Sequence, residues 1–168
     1  MGPDFCVPVS YSLHDPADVC LDRKYFISFH SISTRLSGSA TNKGFEFIDL
    51  TSNDRSVLAS ITGDGPKVGK YFVNVAGCRF AAERLTNAIR NSDVIICDEI
   101  GPMELKSKEF IDSVKNLLEV DKKVIVVVHQ KLQQLLIDEF RNKASLLIDL
   151  DLENREKVNE ILLDKLMA

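Results

Sequence analysis

No stretch of this chain approaches the roughly 18 to 20 consecutive apolar residues of a membrane-spanning helix. Met1 to Ser10 also lacks the basic start and apolar segment of a secretory leader, so neither an anchor nor export is expected, and the expected compartment is the cytoplasm. Charge of one sign is not in excess: the net charge is -4, with Lys and Arg scattered among the acids. That balance gives no strong nucleic-acid signal and argues against binding to an anionic membrane, while leaving room for a small polyanion held locally. The four cysteines, Cys6, Cys20, Cys78 and Cys97, show neither Cys-x-x-Cys spacing nor pairing with His, so neither a zinc site nor a disulfide framework is suggested. Glycine is sparse, at eight residues, and none of these builds a Gly-x-Gly-x-x-Gly turn or a Gly-x-Ser-x-Gly elbow. A dinucleotide site and a serine-hydrolase centre are therefore both unsupported.

What is present fits one α/β domain: 168 residues, 45% of them apolar, are enough for a single core and too few for two. Phe45 to Leu50, Ser56 to Ser60 and Lys70 to Val75 read as short strands separated by Asn53-Asp54 and Gly63-Asp64-Gly65-Pro66, a β-rich section. Ala81, Ala82, Leu85, Ala88 and Ile89 then recur at helical spacing up to about Asn91. The strand Val94 to Cys97 follows, then a helix capped by Ser107 with a stripe of Phe110, Ile111, Val114, Leu117 and Leu118. Val124 to Val128 is a second buried strand, so residues 94 to 128 form a βαβ unit. Leu132 to Phe140 is expected to be helical, Leu146 to Leu150 a strand, and Val158 to Leu166 a closing helix. Alternating strands and helices imply a three-layer sandwich around a mainly parallel sheet. Residues 1 to 30, with a proline-interrupted pattern and no clean period before a strand near Tyr25 to Phe29, are expected to be atypical and irregular.

The most informative stretch is Val94-Ile95-Ile96-Cys97-Asp98-Glu99-Ile100-Gly101, where an apolar strand runs into two adjacent carboxylates. In a parallel sheet, ligands gather outside the carboxyl ends of the strands. The pattern matches a Walker B element, in which the first acid helps hold Mg²⁺ near a triphosphate and the second orients or deprotonates water. The plainer alternative is a hydrophobic strand ending at a polar loop.

Val-Gly-Lys-Tyr-Phe-Val-Asn-Val (68 to 75), Asp-Glu-Ile-Gly-Pro-Met-Glu-Leu (98 to 105) and Val-Val-Val-His (126 to 129) resemble the small nucleoside-triphosphatases first described in thermophiles. That family includes the cancer-related nucleoside-triphosphatase of vertebrates, and the resemblance covers roughly residues 31 to 168. It implies a P-loop NTPase-like α/β sandwich with a β-rich insertion, and hydrolysis of ATP, GTP and other nucleoside triphosphates to the diphosphate with Mg²⁺. Carried over, Val94, Ile95, Ile96, Cys97, Asp98, Glu99, Ile100 and Gly101 form a nucleotide-binding stretch. Asp98 is the Mg²⁺ partner, Glu99 the group that activates water, and His129 a sensor near the γ-phosphate. The partner it implies is the nucleoside triphosphate, and protein partners are left open.

The family also carries a Gly-x-x-x-x-Gly-Lys-Ser/Thr loop near its amino terminus, and this sequence has none. Its sole Gly-Lys pair is Gly69-Lys70, but Asp64 stands where the first glycine belongs and Tyr71 where a hydroxyl should reach Mg²⁺. The backbone N–H groups and lysine of such a loop supply charge-assisted hydrogen bonds of roughly 1.5 to 3 kcal/mol each. Losing three or four costs on the order of 5 kcal/mol, or about 10⁴-fold in affinity. The alternative reading is thus a non-catalytic or truncated family member that keeps the fold without the phosphate-binding loop. Glu104, just past Gly101-Pro102-Met103, either faces the nucleotide site or complements the dipole of the following helix. Asp149, Asp151 and Glu153 read as a solvated face rather than a metal loop.

Overall fold

The computed structural model describes residues 4–10, 26–34, 44–129, 132–151 and 153–167. Nine strands form one sheet, β1 (Asp4–Ser10), β2 (Phe26–Thr34), β3 (Gly44–Asp49), β4 (Arg55–Ser60), β5 (Lys67–Val68), β6 (Tyr71–Val73), β7 (Val94–Ile100), β8 (Lys123–His129) and β9 (Leu146–Leu150). The helices are α1 (Val75–Asn91), α2 (Lys108–Leu117), α3 (Leu135–Lys143) and α4 (Arg155–Met167). Across the sheet the strands run β5-β6-β4-β3-β2-β7-β8-β1-β9. From β2 to β9 every neighbouring pair is parallel. On the other side of β2 all pairs are antiparallel, so the β-rich section extends the same sheet instead of standing apart from it.

Local chemistry explains the element boundaries. Asn74 ends the β6 stretch and caps α1, its side-chain oxygen accepting from the N–H groups of Ala76 and Gly77. The strand expected through Val75 therefore stops at Val73, and the helix begins earlier than its apolar period suggested. A Cβ at Gly77 would collide with the carbonyl oxygen of Val57, so glycine is what lets α1 lie directly on β4. Ser107 caps α2 as expected, accepting from the N–H of Phe110 at 3.3 Å.

The sheet separates two apolar clusters. On one face Ile95, Cys97, Val124, Val126 and Val128 pack with Leu85 of α1, Phe110 and Leu117 of α2, and Phe140 of α3. On the other, Ile96, Ile125 and Leu150 pack with Val158 and Leu162 of α4. Helices on both faces of the sheet make the expected three layers.

The amino-terminal expectation needs correction. Asp4–Ser10 is a regular strand between β8 and β9, and Phe26–Thr34 joins the parallel half to the antiparallel half. Pro8 obscured the first of these, because proline lacks the N–H that a central strand normally donates. Its mark remains in the pairing: the β1–β8 register passes from Cys6 to Val9, while the β1–β9 register runs unbroken through Pro8. The remainder of residues 1 to 30 lies outside the described residues.

Candidate active site

The parallel strands deliver their carboxyl ends to one edge of the sheet, where Asp98, Glu99, Ile100 and Gly101 leave β7 and His129 ends β8. The chain reaches β9 from β8 by passing over β1, whereas β2 and β7 lie on the far side of β8. The strand order therefore reverses beside β1 and β8, which is where open α/β sheets form their ligand crevice.

Ile95, Cys97 and Ile100 are fully buried in the helix-covered core, and Ile96 is buried on the α4 side. These side chains serve packing, and the two carboxylates between them are what remain for chemistry. Cys97 pairs with Val126 and Ile100 with Val128, so β7 carries one residue more than β8 over this stretch. Such a bulge takes residues out of the ladder and re-aims their side chains. Asp98 and Glu99 occupy it, and both are partly buried.

A third acid joins them. Glu104 opens a single 3-10 turn, Glu104–Lys106, and is only 3% exposed. Its Oε2 accepts the N–H of Gly101 at 3.0 Å. A Cβ at Gly101 would lie 2.8 Å from that Oε2 and 3.1 Å from Oε1 of Glu99, so both carboxyl groups crowd the space that glycine leaves open. Burial, then the negative charge of Asp98, lifts the Glu99 carboxyl to about 7. Burial chiefly, with Glu99 and Asp98 adding to it against the backbone N–H groups of Glu104 itself and of Gly101, lifts Glu104 to about 8. The same buried, acidic surroundings push the Cys97 thiol upward, which suits an inert packing residue.

His129 stands one residue beyond Val128, the partner of Ile100, and pairs with Ser10 of β1. Its Nδ1 is buried without a hydrogen-bond partner among the described residues. No group of three or more His, Cys, Asp or Glu side chains among the described residues is disposed to hold a metal ion. Mg²⁺ commonly takes one or two carboxylates and fills its shell with water and phosphate oxygens, so Asp98 alone fits that mode and a protein cage is not required.

Of two other sequence candidates, the first lies away from this edge and the second stands at its β9 end, exposed to solvent. Gly69 and Lys70 form the tight turn between β5 and β6, with Gly69 at φ 58° and the Lys70 ammonium 5.2 Å from the Tyr71 ring centre. Asp149, Asp151 and Glu153 are exposed, and Asp151 Oδ1 caps the turn into α4 by accepting from the N–H groups of Glu153 and Asn154. Sequence reasoning left Glu104 undecided between facing the nucleotide site and complementing the helix dipole, and missed its burial. The signal was its position three residues after Gly101, the reach at which a side chain can return to a backbone N–H.

A partly parallel sheet covered on both faces, with acids at the end of an inner strand, defines a P-loop NTPase-like α/β sandwich. The profile of the NTPase family matches residues 30–163, and the chain belongs to that family. It is 36% identical to the nucleoside-triphosphatase THEP1 of Methanopyrus kandleri over 126 residues, covering 74% of this chain and 70% of that one. It is 35% identical to the nucleoside-triphosphatase THEP1 of Thermococcus kodakarensis over 152 residues, covering 88% and 82%. The crystal structure of THEP1 from Aquifex aeolicus superposes with a TM-score of 0.82 at 27% identity over 99% of both chains. The solution structure of a human cancer-related nucleoside triphosphatase shares the fold, with a TM-score of 0.70 at 21% identity over 98% of this chain and 96% of that one.

Proposed function

We propose that this protein hydrolyses nucleoside triphosphates to the diphosphate and phosphate with Mg²⁺. The observation that carries the reading is the Asp98–Glu99 pair, set in a bulge at the carboxyl end of an inner parallel strand. Asp98 is the carboxylate that would hold Mg²⁺, and the ion, when bound, would neutralise charge on the phosphate oxygens. Glu99, lifted to about 7, is matched to accepting a proton from water near neutral pH, as an effective general base requires. His129, with its Nδ1 unmatched among the described residues, is suited to reading a phosphate oxygen or the attacking water. Of the stretch Val94 to Gly101, the end that leaves the ladder, Asp98 to Gly101, would border the crevice, while Ile95, Ile96, Cys97 and Ile100 are fixed in the core by their side chains.

A second reading rests on the missing Gly-x-x-x-x-Gly-Lys-Ser/Thr loop: a family member that keeps the fold without turnover. One experiment separates the two. Phosphate release from ATP and GTP with Mg²⁺ is measured alongside nucleotide-induced thermal shift, for the wild type and Glu99→Gln. The hydrolase reading expects turnover that drops by about 10²- to 10⁴-fold in the variant. Absence of both turnover and shift in the wild type at millimolar nucleotide would overturn it in favour of the second.

A further inference from the structure

Glu104 is the most deeply buried carboxyl group among the described residues, and it lacks what holds the next most buried one. Asp49, 4% exposed, faces Arg84 at 3.7 Å and accepts the N–H of Thr51 at 2.9 Å. Among the described residues no Lys or Arg pairs with Glu104, and its carboxyl accepts from the Gly101 main chain. Gly101 is held through both of its flanking peptides, the N–H of the Ile100–Gly101 peptide by the Glu104 carboxyl and the carbonyl oxygen of the Gly101–Pro102 peptide by the N–H of Leu105 at 3.2 Å. Glu99 leaves the chain two residues earlier, with its Oε1 beside the same glycine. The direction of the Glu99 carboxyl is therefore tied to the orientation of a peptide that Glu104 fixes from within the core. A buried carboxyl without a countercharge is costly, and a packed apolar side chain of similar volume would serve stability as well or better.

We propose that Glu104 is a positioning residue for Glu99, anchoring Gly101 so that the Glu99 carboxyl points out of the bulge toward the crevice. This rests on the role of Glu99 given above. Glu104 itself touches neither substrate nor metal.

The test compares the full-length wild type with Glu104→Leu, which removes the acceptor and fills its volume, and with Glu104→Gln, whose amide oxygen can accept the same N–H. Two readouts are taken: kcat and KM for phosphate release, and the ¹³C resonance of the Glu99 side-chain carboxyl, assigned with Glu99→Gln. In Glu104→Leu, kcat is expected to fall by ~10- to 100-fold, the usual effect of losing a supporting hydrogen bond behind a reacting group, with KM nearly unchanged. The Glu99 resonance should move in this variant, and Glu104→Gln should restore both quantities. A Glu104→Leu protein with wild-type kcat and an unmoved resonance would overturn the proposal, as would a Glu104→Gln protein impaired as severely as Glu104→Leu. If the wild type releases no phosphate, the hydrolase reading falls by itself, and the resonance comparison still decides the role of Glu104. Should Glu104→Leu fail to fold, Gly101→Ala takes its place: its methyl would press on both carboxyl groups, and an unmoved Glu99 resonance would overturn the proposal.

Discussion

Replacing Glu104 by Gln should flatten the dependence of folding stability on pH. In the folded chain burial lifts this carboxyl from the ordinary 4.5 to about 8. The folded state therefore keeps a proton that the unfolded state releases, and stability falls as pH rises between those two values. The contribution is complete below about pH 4.5 and is lost once pH passes through the folded value near 8. Each unit of separation corresponds to about 1.4 kcal/mol, so from pH 5 to pH 8 the wild type should lose roughly 3 to 5 kcal/mol more than the variant. Glu99, lifted to about 7, acts in the same direction and stays in both proteins, which is why the difference between the two is the informative quantity. Cys78, pushed up to about 12 by burial and then by Glu104 and Glu109, does not titrate in this window. The assay is urea unfolding followed by far-ultraviolet circular dichroism at pH 5, 6, 7 and 8 for both proteins. Parallel stability curves would refute the reasoning, because they would mean that Glu104 is already ionised in the folded chain at pH 5.

Ser107→Ala should cost about 1 kcal/mol by removing the side-chain acceptor at the start of α2, read as a lower urea midpoint without a change in slope. Cys78 and Cys97, both buried and with raised thiol pKa, should resist iodoacetamide at pH 7.5 in the folded protein and react once it is unfolded, as resolved by peptide mass spectrometry. Rapid labelling of either thiol in the native state would contradict the packing described around β7.

Where the sequence carried a strong local signal, it anticipated the structure well. The β7–α2–β8 unit was legible because continuous Val and Ile runs mark inner parallel strands, and Ser107 stands three residues before Phe110 as a capping residue should. The place of Asp98 and Glu99 at a strand end followed from the same run, but the bulge that lifts them out of the ladder did not. A bulge depends on register with β8, which only the paired strands define. Glu104 was illegible for a related reason, since its burial arises from the turn folding back beneath Gly101 and not from any apolar period. Asn74 was read as part of a strand because Tyr71 to Val73 supplies a β-like run directly before it. The central place of β1 was hidden because its partners come from β8 and β9, more than a hundred residues later in the chain, and because Pro8 breaks the expected pattern.

That last arrangement governs the order in which the molecule can be assembled. On the ribosome β1 emerges before either neighbour exists, and its slot opens only after the chain through Leu150 has been made. From that point until β1 inserts, β8 and β9 have unpaired rims facing each other across a gap, and unpaired rims invite pairing with other chains. Closing so long a loop also makes the final insertion slow compared with helix formation. A version lacking the first ten residues would be held permanently at that open stage, and aggregation during synthesis, not simple loss of stability, is its expected fate.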